Sequence, residues 1–219
     1  MKLQALYILL VLGLTSCLTN KSSFVQVQKK DLYDISVAED TTSVYGFKEL
    51  IIFSDILDNT VWVSPEKNCV TLTKETTQTY AGKTSIHLSW DKITGGCKWI
   101  GLGFGWNSWQ PKNMLDIVDY AAIEFHVKAV KGSFSNLPVA FAIEDYTGVQ
   151  TFYGFNSSLA SGKFNDKTWT TVTIPLKNFP FQSKDADLGK VKQFMIQLEA
   201  DGDIYLDEIR IVKYNDAKN

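Results

Sequence analysis

From Leu50 onward, apolar and polar positions alternate in short runs separated by turn residues. Ser85-Ile86-His87-Leu88-Ser89-Trp90 places Ile86, Leu88 and Trp90 on one side of an extended chain. Ile123-Glu124-Phe125-His126-Val127-Lys128 does the same with Ile123, Phe125 and Val127, because successive side chains of a strand point to opposite faces. Similar runs occur at 50–53, 61–63, 70–73, 139–143, 171–176, 194–198 and 204–211. Pro175 suits the end of a strand, where no ladder N–H is needed. Period two dominates, and no long stretch of helical period competes with it. Eight or more half-buried short strands predict an all-β fold, two packed antiparallel sheets in a jelly-roll β-sandwich.

One run departs from ordinary alternation. In Trp99-Ile100-Gly101-Leu102-Gly103-Phe104-Gly105-Trp106 the apolar phase (Ile100, Leu102, Phe104, Trp106) reads as core. The other phase is Trp99 followed by three glycines. A glycine-lined face lets a flat ligand or another backbone approach closely. Trp109 follows in the loop Asn107-Ser108-Trp109-Gln110-Pro111, where it either meets a ligand or packs over the end of the sandwich.

The N-terminus carries a different signal. Met1-Lys2 is positive, residues 3–14 are mostly apolar, and Leu14-Thr15-Ser16-Cys17 ends in small residues before a cysteine. The apolar run is short for a membrane span and has the layout of a secretory signal. Leu14-Thr15-Ser16-Cys17 resembles the bacterial lipobox. That resemblance implies removal of residues 1–16 and lipidation of Cys17, hence a membrane anchor through acyl chains. Leu18, in place of Asp, points to the outer membrane of the cell envelope. Residues 17–48 then form a polar tether, and 49–215 form the domain. For an exported chain, Cys69 and Cys97 are a candidate disulfide, with two buried thiols as the alternative. A formal net charge of −2 with no basic block argues against nucleic acid as a partner.

Several stretches together resemble a known group. Thr79-Tyr80-Ala81-Gly82-Lys83-Thr84-Ser85-Ile86 is similar to a turn before an early strand in carbohydrate-binding jelly rolls. Trp99-Ile100-Gly101-Leu102-Gly103-Phe104, the entry 115–125, the strand 167–176 and the closing run Ile204-Tyr205-Leu206-Asp207-Glu208-Ile209 follow in matching order. The set resembles the galactose-binding-like superfamily, nearest to family 11 carbohydrate-binding modules and the galactose-binding-like domains at the C-terminus of bacterial exo-glucanases. The resemblance spans about residues 50–214 and implies a jelly roll that binds polysaccharide. It also implies a structural Ca2+ at Asp55, the backbone around Gly82-Lys83, and Asp207, with Asp58 or Glu75 as further donors. The alternative is that Asp55 and Asp207 cap turns.

Sugars present apolar C–H faces and hydroxyl rims, so they call for flat aromatic platforms flanked by polar side chains. Six tryptophans supply such rings. The candidate ligand residues are Trp99, Trp109, Tyr146 and Tyr153, with Glu124 and His126 on the polar phase of their strand. Tyr146 and Tyr153 flank the turn at Thr147-Gly148 and are placed to meet across a hairpin. Glu124 and His126 read hydroxyls if their sheet face is the binding face, and are merely solvated if it is not. Trp106 and Trp169 read as core.

No nucleophile elbow, zinc-protease motif or phosphate loop is present. Glu144 and Asp145 are adjacent and point to opposite faces of a strand. A non-catalytic glycan binder on the envelope, serving glycan-degrading enzymes or importers, is therefore the leading expectation. Its rivals are a protein-interaction module of the same fold and a hydrolase built from distant carboxylates, such as Glu124 with Glu144 or Glu199.

Overall fold

A computed structural model describes residues 50–55, 57, 59–64 and 68–214. The signal segment, Cys17, the whole tether, residue 49 of the domain, and Asp58 lie outside the described residues.

Among the described residues thirteen strands form: β1 (Leu50–Phe53), β2 (Val61–Val63), β3 (Val70–Glu75), β4 (Ser85–Asp91), β5 (Ile100–Gly105), β6 (Ala121–Ala129), β7 (Ser133–Phe134), β8 (Val139–Asp145), β9 (Gln150–Gly154), β10 (Phe164–Asn165), β11 (Thr170–Pro175), β12 (Val191–Leu198) and β13 (Asp201–Lys213). A short helix, α1 (Phe181–Lys184), lies among the loops. One sheet runs β11-β6-β13-β4-β3, with β1 also paired to β13. The other runs β2-β5-β12-β8-β9, and β7 pairs β10 separately. Every pairing is antiparallel. The result is the antiparallel β-sandwich that the alternation predicts.

The inward phase of each strand makes the core. Ile100, Leu102 and Phe104 of β5 are fully buried, as are Ile123 and Val127 of β6, with Phe125 nearly so. Phe125 from one sheet meets Phe141 and Phe194 of the other, at ring-centroid distances of 5.7 and 6.4 Å. Such tilted aromatic contacts add to the gain from burying apolar surface.

The long strand β13 changes phase partway. Ile204 and Leu206 point inward, and so do Ile209 and Ile211. An irregularity between Asp207 and Arg210 absorbs the odd residue, and Glu208 takes a left-handed φ of 52° there. At the same point β4 hands over to β1 as the neighbour of β13. The turn at 79–84 fills the gap. Asp207 Oδ2 accepts the Tyr80 and Ala81 N–H groups at 2.7 and 3.3 Å. Asp55 Oδ1 accepts those of Lys83 and Thr84 at 2.6 and 2.8 Å. Two carboxylates thus satisfy backbone donors that no strand reaches there.

A disulfide joins Cys69, just before β3, to Cys97, just before β5. It ties an edge of one sheet to the approach of the other.

Candidate functional site

The three glycines of β5 lie on the outward side of the five-stranded sheet, and each carries a tryptophan ring. A Cβ at Gly101 would sit 3.1 Å from the Trp99 ring. One at Gly103 would sit 2.3 Å from Trp62 Nε1, and one at Gly105 would sit 2.6 Å from the Trp109 ring. Any side chain at Gly103 or Gly105 would push its ring off the sheet. Trp62 and Trp99 are nearly parallel, with centroids 6.1 Å apart and planes 23° apart. The rings come from β2, from the residue before β5 and from the 3-10 turn Trp106–Trp109 after it. They form a row in the order Trp99, Trp62, Trp109 along one strand.

Polar groups on the next strand and in a nearby loop fix the rings. Trp62 Nε1 donates to Gln193 Oε1 at 2.6 Å, and Trp99 Nε1 to Gln197 Oε1 at 3.2 Å. Trp109 Nε1 donates to the Asn59 carbonyl at 3.1 Å. Trp109 holds a left-handed φ of 68°, which costs a bulky residue energy, and the Tyr146 hydroxyl donates to its carbonyl. Burial raises the Tyr146 pKa above its ordinary value and so keeps that donor protonated. Each ring therefore lies against strand backbone and has its indole N–H hydrogen-bonded. Trp99 is 40 % exposed.

The face continues across the sheet. Register aligns Gly103 with Met195, Ala142 and Phe152, and Gly101 with Gln197, Ala140 and Gly154. Beyond the tryptophans lies a low floor of alanine and glycine, with the exposed Phe152 standing at the far edge. At one end Glu144 accepts from Lys192 Nζ at 2.6 Å and from Gln150 Nε2 at 2.8 Å. The hairpin that carries Glu144 is held by Asp145. Its Oδ1 accepts the Thr147 and Val149 N–H groups, and its Oδ2 accepts that of Asp187. Burial pushes the Asp145 carboxyl up, but these bonds outweigh it, and the pKa lies below the ordinary value.

The structure thus brings Trp99, Trp109 and Tyr146 to one face and leaves the other candidates elsewhere. Tyr146 and Tyr153 do not meet across the hairpin. Tyr146 lies past the last pair, Glu144–Gln150, and Tyr153 aligns with the inward Phe141. Tyr153 packs 6.0 Å from Phe179, so Phe152 is the aromatic that β9 gives to the tryptophan face. Glu124 and His126 sit on the outward side of the six-stranded sheet, because Ile123, Phe125 and Val127 take the inward phase. His126 is buried under Tyr80, whose ring stacks on it at 3.5 Å, and its Nδ1 meets Thr171 Oγ1 at 3.1 Å. Trp169 is half-buried on this same side, edge-on to Tyr80 at 6.1 Å, rather than in the core. Trp106 is core, as the phase predicts.

Trp62 is the residue the sequence reading passed over. Its signal was a tryptophan in the polar phase between two valines. Phe152, Gln193 and Gln197 were also missed, since only register across β5, β12, β8 and β9 identifies them.

Asp55, Lys83 and Asp207 do converge on one turn. The donors they meet are N–H groups, including that of Glu208 to Asp207 Oδ1 at 2.8 Å. Backbone N–H bonds lower the Asp55 pKa, whereas burial raises that of Asp207. Among the described residues no group of three or more His, Cys, Asp or Glu side chains is placed to hold a metal ion. Calcium takes six to eight oxygens, and this arrangement of N–H donors does not supply such a set. Glu124 and Glu144 lie on the outer faces of different sheets, so they cannot flank one glycosidic bond. Glu199 is engaged by Lys92 and Gln197.

Comparison with known proteins gives the family. Residues 49–213 match the model of carbohydrate binding domain 30. No curated protein matches the chain. The family 30 carbohydrate-binding module of the cellulosomal cellulase Cel9D-Cel44B of Clostridium thermocellum superimposes with a TM-score of 0.59 at 18% identity, over 78% of this chain and 100% of that one. A family 11 carbohydrate-binding module from Clostridium thermocellum, solved in complex with a β-1,3-1,4-mixed-linked tetrasaccharide, gives a TM-score of 0.50 at 14% identity, over 75% of this chain and 95% of that one. These likenesses concern the fold. The family match covers most of the sequence, and the chain belongs to the family 30 carbohydrate-binding modules, which bind carbohydrate without cleaving it.

Proposed function

We propose that the outward face of the five-stranded sheet holds a linear β-glucan or a closely related polysaccharide. The observation that carries this reading is the row of three tryptophans lying flat on three glycines. Gly101 to Gly105 spans four residues of strand, about 13 Å, so the row suits several sugar units of an extended chain rather than one. Apolar sugar faces stack on the rings, while Glu144, Lys192 and Gln150 stand at one end to meet hydroxyls. The tetrasaccharide held by the family 11 relative is of the same chemical class. With Cys17 lipidated, the module displays this face from the cell envelope, on the outer membrane, and presents glycan to hydrolases or importers.

The competing reading is a protein-docking face built on the same rings. A glycan array and calorimetry with soluble linear β-glucans separate the two. Saturable binding that Trp62→Ala and Trp99→Ala abolish supports the glycan. A folded chain that binds no polysaccharide leaves the docking reading in its place.

A further inference from the structure

We propose a second saccharide site, on the outward side of the six-stranded sheet and remote from the tryptophan row. A cleft of about 690 Å³ opens there along the edge strand β11 and reaches β6, the end of β13 and the loop after β9. It is within the size range of small-molecule sites and large enough for one or two sugar units.

The lining has the chemistry of a hydroxyl reader. Thr171, Thr173 and Glu124 share one outward phase by register, and Ser161 and Asn178 close the sides. Thr173, Glu124 and Asn178 are short of partners, whereas Ser161 Oγ accepts the Thr171 N–H at 3.1 Å. The Thr173 hydroxyl reaches Glu124 only at 3.5 Å, the outer limit of a hydrogen bond. The Asn178 amide has no side-chain partner among the described residues, while Thr171 is pinned by His126 at 3.1 Å. A carboxylate, two hydroxyls and an amide, fixed on strands and at a strand end, can both donate to and accept from a polyol.

Other ligand classes fit less well. An apolar helix or acyl chain needs a greasy floor, and here Leu159, Pro175 and Val212 are interrupted by Glu124, the threonines, Asn178 and two lysines. A simple anion would find Lys177 and Lys213 in the lining but would also meet the Glu124 carboxylate, and it would leave the threonine hydroxyls unused. Tyr153 and Tyr214 line the cleft and supply the aromatic surface that a sugar C–H face requires. The cleft and the tryptophan row lie on opposite outer faces, so one module can engage two glycan chains at once, with the avidity that follows.

Amide NMR of the 15N-labelled chain reads the two sites separately. Cellobiose and galactose are titrated into the wild type, the Trp62→Ala/Trp99→Ala variant and the Glu124→Gln/Thr173→Val variant. The expected result is saturable movement of the Thr171, Thr173 and Asn178 amides with at least one sugar, retained in the double-tryptophan variant. Glu124→Gln/Thr173→Val should weaken it about tenfold or more while the Gly101, Gly103 and Gly105 amides respond as before. Cleft amides that stay still up to ~50 mM sugar, or that respond equally in Glu124→Gln/Thr173→Val, overturn the proposal. Glycine amides that stay still while the cleft responds would instead sink the reading of the tryptophan row.

Discussion

The two outer faces of the sandwich follow the same alternation and end up chemically opposite. On the five-stranded sheet the outward phase of β5 is emptied to glycine and that of β8 is mostly alanine, and large rings from neighbouring elements are laid against β5. On the six-stranded sheet the outward phase keeps its own polar side chains, and His126 is covered by Tyr80. One face is aromatic, and the other carries a largely polar cleft flanked by two tyrosines, Tyr153 and Tyr214. The inward phase sets the fold on both sheets. What the outward phase leaves out, as much as what it includes, sets what each can touch.

The strongest perturbation removes the tie between the sheets. A closed loop of this size is worth about 3–4 kcal/mol of stability, so Cys69→Ser/Cys97→Ser should lose that much in a denaturant titration. Reduction of the wild type should reproduce the loss. Next comes the aromatic row itself. Trp62→Ala should weaken binding to a linear β-glucan by about 1–3 kcal/mol, by analogy with base stacking on aromatic side chains. The same change should leave the amides of Thr171 and Thr173 in place. A loss of fold in this variant would mean that Trp62 is structural.

The opposite face offers a pH test. Burial, and then the nearby Arg210 charge, depress the His126 pKa to about 4 from an ordinary 6.5. Between those values the unfolded chain binds a proton that the folded chain refuses. Stability is therefore complete above about pH 6.5 and falls as the pH drops toward 4, by about 1.4 kcal/mol per pH unit at most. Asp207, whose pKa burial raises, works in the opposite sense. His126→Phe should flatten the slope in thermal melts, while the glycan affinity of the tryptophan row should not follow His126. The smallest effect separates ring position from ring presence. Gly103→Ala keeps all three tryptophans but lifts Trp62 off the strand. It should reduce glucan affinity about fivefold and cost some stability, since lifting the ring breaks the Trp62–Gln193 hydrogen bond. Equal affinity in Gly103→Ala would show that the flush seating does not matter.

The sequence exposed one half of this contrast better than the other. The alternation at 99–105 separated core from platform because both phases sit in one continuous strand. Trp109 was readable as a loop ring in need of a partner. Trp62 was hidden because a three-residue strand gives little periodicity, and its value appears only when β2 pairs β5. Tyr153 looked as eligible as Phe152, for register in a hairpin depends on where the turn closes, and Asp145 closes it. Glu124 and His126 were correctly put on a polar phase, but phase does not say which sheet. That is decided by pairings among residues far apart in the chain, such as Glu124 with Arg210.

The seating of the tryptophans also has a calorimetric consequence. A ring lying on backbone is already dry on one side before any ligand arrives. Only the outward face of each ring then sheds water when a sugar stacks on it. The heat-capacity change of binding, which tracks apolar surface removed from water, should therefore correspond to one face per ring. An isothermal titration series over temperature would count those faces. A change twice that size would mean that the rings stand clear of the sheet in solution and lie down only when the glycan binds.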